Sequence, residues 1–268
     1  MPAPPAIAHV QRTLVTHDGI STGTRAIPEE TAISFTYGSA TFAVMMATPQ
    51  NIEDLAVGFS LTEGIAEKAA EITTIEIVPL DRGVEARMTL SESRIVQLDA
   101  RRRRLAGPAG CGLCGIESLD AAVRPARKTD SDLRVDRETV FSALTSLRER
   151  QRLNAATHAV HAAGFWLMEK NCLAAVREDV GRHNALDKLA GALARNGVDA
   201  AAGFIVLSSR LSIELVQKAA AIGCPMLVAV SAPTNYALRA AEAAGMTLVA
   251  IARDDSYEVF THAQRIAT

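Results

Sequence analysis

Apolar and polar residues alternate in the first third of the chain, whereas the last half contains short continuous apolar runs. The stretch from Thr31 to Val44, TAISFTYGSATFAV, is typical of two strands joined by a hairpin turn at Gly38–Ser39. The stretch TPQNIEDLAVGFSLTEGI then predicts a helix, because Leu55 and Phe59 lie along one side of it. Two more strands are predicted at ITTIEIVPL and VEARMTL, and residues 1–30 are expected to form a mobile tail that runs into a strand.

The second half repeats one pattern, in which an apolar run is followed by a helical segment. A helix over 138–153 is followed by the predicted strands FWLME and LAAVRE, and a further helix begins at about Arg182. Strand GFIVLSS, a helix from Leu211, strand MLVAVS, helix APTNYALRAAEAAG and strand TLVAIA complete the series. Such alternation indicates a mostly parallel sheet covered on both faces, so the predicted fold class is α/β.

Three parts are predicted along the chain. Residues 1–100 form a smaller N-terminal α+β subdomain, and residues 138–268 form an α/β domain that binds a cofactor. Between them, residues 101–137 form a basic loop or linker in which glycine, proline and charge replace periodicity. A long loop of this kind is more often functional than idle.

Composition and charge argue against several classes of function. Hydrophobic residues make up 49% of the 268 positions and charged residues 22%, which is typical of a globular protein. The formal net charge of −2 gives no global positive field for nucleic acid. The start MPAPPAIAHV has no secretory pattern, and no apolar run approaches the ~20 residues of a membrane helix, so neither secretion nor membrane insertion is expected. Four cysteines without a dense framework fit a reducing cytoplasm.

Two of those cysteines, Cys111 and Cys114, lie within GCGLCG. Structural zinc would need two more ligands, and the six histidines form no second paired unit, so no metal site is predicted. A thioredoxin-like motif would join a strand to a helix early in a short domain, and two simply buried cysteines would be unusual in a glycine-rich loop. The remaining interpretation is a persulfide carrier, which needs a thiolate. Seven basic and two acidic side chains lie between Arg101 and Lys128, and this excess favours the thiolate and attracts anions.

Four blocks of sequence, taken in order, carry a resemblance to a known family. They are GCGLCG, EDVGRHNALDKLAG, SSRLSIELVQKAA and SAPTNYA, and ARDDSYEVFTH near the end supports them. With these blocks the chain resembles the FdhD family, the sulfurtransferase accessory proteins of formate dehydrogenase. The resemblance covers nearly the whole chain.

The resemblance implies a cytoplasmic sulfurtransferase with a three-layer, cytidine deaminase-like core. Such a protein would accept persulfide sulfur from a cysteine desulfurase on Cys111, with Cys114 as partner. It would pass the sulfur to molybdenum bis(molybdopterin guanine dinucleotide), bound as a substrate, before this cofactor enters the formate dehydrogenase catalytic subunit. A guanine nucleotide is expected to mimic the cofactor, and a homodimer is expected.

The chain departs from the usual family pattern at two places. His158 and Ala159 replace both glycines of a Thr-Gly-Gly run, and Ser209 replaces the glycine of Ser-Gly-Arg. His161 and Arg210 keep the expected identity. The changes at His158, Ala159 and Ser209 bear on loop shape near the bound cofactor.

The remaining blocks supply the expected cofactor-binding residues. Asp179, at the end of a strand, is expected to bind the donor edge of a ligand, and His183 lies at a helix start with Asp187 one turn later to orient its imidazole. Arg210 suits a pyrophosphate, and Ser231 is expected to cap the following helix as well as to line the site. The resemblance adds a segment that contacts the guanine-nucleotide part, namely Ile251, Ala252, Arg253, Asp254, Asp255 and Ser256.

Two other functions compete with sulfur transfer. A binding chaperone would shield and deliver the cofactor without sulfur chemistry, and a double cysteine variant would then still support the target enzyme. A zinc-dependent nucleoside deaminase needs a His-x-Glu block followed by Pro-Cys-x-x-Cys. The chain instead reads HAA at His161, and its cysteine pair comes before this histidine.

Overall fold

The computed structural model describes residues 4–95, 98 and 125–267. The described strands form four sheets, and the helices pack between and against them. The helices are α1 (Ile52–Thr62), α2 (Arg137–Arg150), α3 (Arg152–Thr157), α4 (Arg182–Arg195), α5 (Ile213–Ala221) and α6 (Asn235–Ala244). The strands are β1 (Ile7–Thr16), β2 (Gly19–Pro28), β3 (Thr31–Tyr37), β4 (Ala40–Ala47), β5 (Ile72–Leu80), β6 (Gly83–Leu90), β7 (Val135–Asp136), β8 (His161–Leu167), β9 (Cys172–Asp179), β10 (Gly203–Leu207), β11 (Met226–Ala229), β12 (Thr247–Ala250), β13 (Glu258–Val259) and β14 (Ile266–Ala267).

The largest sheet has six strands in the order β13-β12-β11-β10-β8-β9. Its three strands β10, β11 and β12 are parallel and are connected through α5 and α6, whereas β8, β9 and β13 run antiparallel to their neighbours. The α/β class is therefore confirmed, but the sheet is mixed rather than mostly parallel. A short turn joins β8 to β9, and a parallel pair would need a much longer crossover.

Helices cover both faces of this sheet. In β10, Phe204 and Val206 point to the apolar cluster that contains α2, while Ile205 and Leu207 point to the cluster that contains α4, α5 and α6. Because successive side chains of a strand alternate between faces, a fully apolar strand requires cover on both sides. The result is a three-layer core. The likeness to cytidine deaminase stays a prediction.

The N-terminal part has its own sheet, in the order β4-β3-β6-β5, with α1 packed against it. The predicted turn at Gly38–Ser39 is confirmed. Helix α1 also crosses α4 in direct backbone contact. A Cβ atom on Gly58 would lie 1.6 Å from the Asp187 carbonyl oxygen, and one on Gly191 would lie 1.9 Å from that of Asp54. Glycine at both positions therefore joins the two parts tightly, and the predicted domain boundaries stay a prediction.

Several predicted elements need correction. Residues 1–30 are not a simple tail, since β1 and β2 pair along their whole length in a hairpin. The helix expected over 138–153 is interrupted at Gln151 between α2 and α3. Helix α5 begins two residues after Leu211, because Leu211 forms an isolated parallel bridge with Pro233. Among the described residues, no helix combines the length and the apolar character that a membrane span requires.

Candidate functional site

Cys111 and Cys114, the predicted catalytic residues, lie outside the described residues. The other two cysteines differ sharply from each other. Cys172 is exposed at the start of β9, whereas Cys224 is buried and donates its S–H to the Met226 carbonyl oxygen at 3.3 Å. Burial raises the pKa of Cys224 to about 12, so this thiol stays protonated. Within the described part of the chain, no three histidine, cysteine or acidic side chains gather as a metal site.

The predicted polar loops meet at one edge of the six-stranded sheet. Ser208–Arg210 follows β10, Ser231 lies shortly after β11, and Ile251–Ser256 follows β12. Backbone hydrogen bonds join these loops, since Ile251 N–H donates to the Ser231 carbonyl at 3.3 Å and Ala252 N–H donates to Ala229 at 3.1 Å. The C-terminal ends of parallel strands are the usual place for ligands in such sheets.

The role expected of Ser231 as a helix cap is not what the structure shows. The cap of α6 is Thr234, whose side-chain oxygen accepts a hydrogen bond from Ala237 N–H at 3.2 Å. Pro233 lies outside the helix because it is held in the bridge with Leu211. The Ser231 side chain, which is half-buried, is therefore not used to cap the helix.

Ile251 has an unusual backbone conformation. Its φ of 52° lies in the left-handed region, where a β-branched residue is strained. Strain of this kind collects at functional sites, where the surrounding structure holds it in place. Ile251 begins the segment for which cofactor contact is predicted.

Hydrogen bonds and an ion pair hold the rest of that segment in place. Arg253 N–H donates to the Ser256 carbonyl at 2.7 Å, and the Arg253 guanidinium donates to the Val230 carbonyl. Asp254 pairs with Arg148 of α2, which lowers the pKa of Asp254. Ser256 donates to Asp255 at 3.0 Å, and both side chains are exposed. The loop is thus a shaped, solvent-facing surface.

A second group of polar residues lies at the other end of the same sheet edge, where α4 and α5 begin. His161 starts β8 and pairs in register with Asp179, and Ala162 exchanges hydrogen bonds with Ser208. This pairing sets His161 between the loop that carries Arg182 and the loop that carries Arg210. Burial, followed by these two guanidinium groups, lowers the pKa of His161.

His183 and Glu214 face each other across the starts of α4 and α5. The distance from His183 Nε2 to Glu214 Oε2 is 3.9 Å, which is too long for a hydrogen bond. Burial and then Arg182 lower the pKa of His183 to about 4, so its imidazole is neutral at pH 7. For Glu214, burial acts to raise the pKa, but Ser212, the helix backbone, His183 and Arg182 together lower it.

Asp179 does not face a ligand. It is fully buried, and both of its oxygens accept hydrogen bonds from inside the protein. Oδ2 accepts from Lys188 Nζ at 2.6 Å and from Thr48 N–H at 3.0 Å, while Oδ1 accepts from Gly181 N–H at 2.8 Å and from Asn184 at 3.0 Å. We call these residues the Asp179 cluster. It fastens β4 to the start of α4, so the structure gives Asp179 a positioning role.

Asp187 does not orient the His183 imidazole either. Its carboxylate accepts from Thr62 at 2.7 Å and from Lys218 at 3.0 Å. Lys218 also donates to Glu63 at 2.9 Å, and these carboxylates raise the pKa of Lys218 despite its burial. Lys218 is thus a buried and paired cation, and the sequence carries no direct signal of its burial.

A cleft of about 1500 Å³ runs along α4 and α5 beneath the N-terminal sheet. His183 is the one predicted cofactor-binding residue among its described lining residues, and Arg182, Glu214 and Lys218 line it too. Pro125, the first described residue after the cysteine-bearing segment, also lies on its wall. The cleft therefore connects the polar starts of the helices with the point where the chain leaves that segment.

Comparison with solved structures identifies the fold. A crystal structure from Desulfotalea psychrophila, described as a candidate formate dehydrogenase accessory protein, matches with a TM-score of 0.76 and 23% sequence identity. The match covers 98% of this chain and all of that chain. The two proteins therefore share a fold.

Comparison with sequences identifies the family. The sequence model of the FdhD/NarQ family matches residues 28–267, so this chain belongs to that family. Relatives named sulfur carrier protein FdhD include one from Agrobacterium fabrum, 49% identical over 96% of this chain and 95% of the relative. Another from Brucella abortus is 48% identical over 92% of both chains. A third, from Xanthomonas campestris, is 44% identical over 96% of this chain and 92% of the relative.

Proposed function

We propose that the chain is a cytoplasmic sulfurtransferase that matures formate dehydrogenase, with Cys111 as the persulfide carrier. The observation that carries this proposal is the 49% identity, over 96% of the chain, to a relative named sulfur carrier protein FdhD. The Cys-x-x-Cys pair within GCGLCG supplies the thiols that such a role requires.

The first step moves one sulfane sulfur between two proteins. The Cys111 thiolate attacks the outer sulfur of a persulfide on a cysteine desulfurase, and a new S–S bond forms on Cys111. The desulfurase leaves as a thiolate, so sulfur is transferred without an external oxidant. Cys114, three residues along the chain, then receives the sulfur or displaces it.

The second step delivers the sulfur to molybdenum bis(molybdopterin guanine dinucleotide), which is a substrate here. The S–S bond breaks, Cys111 leaves as a thiolate, and the metal supplies the two electrons that turn sulfane sulfur into a sulfido ligand. The loaded cofactor then passes to the formate dehydrogenase catalytic subunit.

We assign binding of this large substrate to the polar edge of the six-stranded sheet. Arg210 lies between the two groups of polar loops and suits a pyrophosphate. His183 and the loop from Ile251 to Ser256 lie on either side, about three to four strands apart, which is ~15–20 Å at the usual strand spacing. A dinucleotide cofactor is long enough to span this separation.

Sulfur loading is testable by intact mass spectrometry. After incubation with a cysteine desulfurase and cysteine, the wild-type protein is expected to gain one reductant-labile sulfur atom, and Cys111→Ala is expected to gain none. Cys172→Ala is a matched control, because Cys172 is an exposed thiol outside the pair and its removal should leave loading intact.

The same variants separate carrier from chaperone. Formate dehydrogenase matured with Cys111→Ala is expected to be inactive. An active enzyme matured by the Cys111→Ala, Cys114→Ala double variant would instead show a cofactor chaperone that performs no sulfur chemistry.

We further propose that the chain works as a homodimer that contacts its second copy through the β1–β2 hairpin. None of the twenty hairpin residues is buried, and Val15 and Ile20 at its tip are 68% and 74% exposed. A two-stranded hairpin alone is marginally stable in water. Its twenty residues approach the ~20–30 per side of a stable interface, and an antiparallel strand edge is self-complementary about a two-fold axis.

The dimer proposal predicts a change of mass in solution. Val15→Asp together with Ile20→Asp is expected to convert the dimer into a monomer, as measured by light scattering after gel filtration. Leu80→Asp serves as a control, since Leu80 is 51% exposed at a different turn. A dimer that survives the two hairpin substitutions would contradict the assignment.

A further inference from the structure

Four buried polar atoms at the starts of α4 and α5 have no hydrogen-bond partner, namely Arg182 Nε, His183 Nε2, Ser212 Oγ and Glu214 Oε2. Arg182, His183 and Glu214 line the cleft, and we call these three residues the Glu214 cluster. Since a buried polar atom without a partner costs free energy, these atoms mark a place where a bound molecule would supply the missing hydrogen bonds.

The protonation states of the cluster define what it can bind. The His183 imidazole is neutral, the Glu214 carboxylate is ionised, and Arg182 is a permanent donor. An inorganic anion would be repelled by Glu214, and a cation would be repelled by Arg182 and by Lys218, which lies further along the cleft. A neutral ring with neighbouring donor and acceptor atoms satisfies the cluster without this repulsion.

The other carboxylates near the starts of α4 and α5 are already engaged. Asp179 and Asp187 accept hydrogen bonds through both oxygens, and Glu63 pairs with Lys218. Glu214 is therefore the acidic residue at the helix starts with an oxygen, Oε2, that no described group occupies.

We propose that Glu214 binds the N–H and amino edge of a 2-amino-lactam ring, and that Arg182 faces the ring carbonyl. Guanine and pterin share this edge, in which a carbonyl acceptor adjoins a ring N–H and an exocyclic amine. The inference rests on the proposed function, because the substrate proposed there contains both rings. It assigns to Glu214 the donor-edge contact that the sequence had suggested for Asp179.

Nucleotide binding tests the proposal without sulfur transfer. By isothermal titration calorimetry, the wild-type protein is expected to bind GDP at least about tenfold more tightly than IDP, which lacks the 2-amino group. Glu214→Gln is expected to weaken GDP binding by about ten- to a hundredfold and to weaken IDP binding less, because IDP keeps the ring N–H but lacks the amine. The GDP-to-IDP ratio in the wild-type protein needs no variant, so the test holds even if the variant folds poorly.

Glu242→Gln is a matched control for the substitution. Glu242 Oε2 lies 3.8 Å from His262 Nε2, a separation close to that of His183 and Glu214, but its side chain is 64% exposed on α6. This variant should bind GDP as the wild-type protein does.

A second arm identifies which ring is bound. Binding of 6-hydroxymethylpterin is measured with the wild-type protein and with Glu214→Gln. A loss confined to GDP assigns guanine to the cluster, and a loss confined to the pterin assigns pterin. The proposal is overturned if neither affinity depends on Glu214 and the wild-type protein does not discriminate GDP from IDP. This result would leave sulfur loading of Cys111 unaffected, so the two proposals fail separately.

Discussion

The Asp179 cluster and the Glu214 cluster both involve the first two turns of α4, yet they differ in how completely their atoms are paired. In the first, Lys188 and Asp179 are fully buried, and Lys188 also donates to the Thr48 carbonyl at 2.8 Å. In the second, Glu214 and His183 approach each other but leave atoms unpartnered, and about 30% of each side chain is exposed. Residue type alone does not separate the two clusters.

Pairing therefore separates a structural role from a binding role here. A buried charge is tolerated where its partners are fixed by the fold, as Thr48 and Asn184 are. An ionised group left incomplete at the wall of a cleft is a place where a ligand supplies the missing contacts. The comparison predicts that substitutions in the first cluster mainly change stability and that those in the second mainly change binding.

The largest effect on stability is expected for Lys188→Met. The substitution keeps the length of the side chain but leaves the Asp179 carboxylate buried without a counter-charge. We expect the free energy of unfolding in urea to fall by about 3–5 kcal/mol. Lys170→Met, at an exposed turn, is the control and should change it by less than about 0.5 kcal/mol.

A double variant sharpens this test. Asp179→Asn combined with Lys188→Met removes both charges, so it should be more stable than Lys188→Met alone. If the double variant were less stable than either single variant by the full sum of their effects, the two side chains would not be coupled, and the Asp179 cluster would not be a unit.

The strands of the α/β part were predictable because their environment is simple. Runs such as GFIVL are buried on both faces, and a continuous apolar pattern reports this directly. The β1–β2 hairpin was missed because no residue in it is buried, so apolar periodicity carries little signal. The dipeptide Asp18-Gly19, which overlaps the turn at His17-Asp18, was the available sign, since Asp-Gly marks turns.

For the candidate site, the sequence predicted which loops meet but not which of their side chains point inward. Strand order brings Arg210, Ser231 and Ile251 to one sheet edge, as expected from parallel strands. Which carboxylate points inward depends on contacts far apart in sequence, such as Thr48 with Asp179 and Thr62 with Asp187. The sequence does not show these contacts, so Asp179 was predicted as a ligand contact and Glu214 was not.

The smallest effect we predict is a difference in how stability depends on pH. His183 has a pKa of about 4 in the folded protein, against ~6.5 in the unfolded chain. Between these values the unfolded chain binds more protons, so the contribution of neutral His183 is complete above pH ~6.5 and is lost as the pH falls towards 4. Arg182 and Lys218 oppose protonation in the folded state, while Glu214 and Glu63 favour it.

Urea unfolding at pH 7 and pH 4.5 measures this contribution. Because a third of the His183 side chain is exposed, the full shift is not realised, and the wild-type protein should lose about 1–2 kcal/mol more than His183→Gln over this range. His17→Gln, at the exposed hairpin turn, should lose as much as the wild-type protein. Equal losses for the wild-type protein and His183→Gln would mean that the imidazole is solvated in the folded state. The Glu214 cluster would then be open to water, and its unpartnered atoms would no longer indicate a ligand.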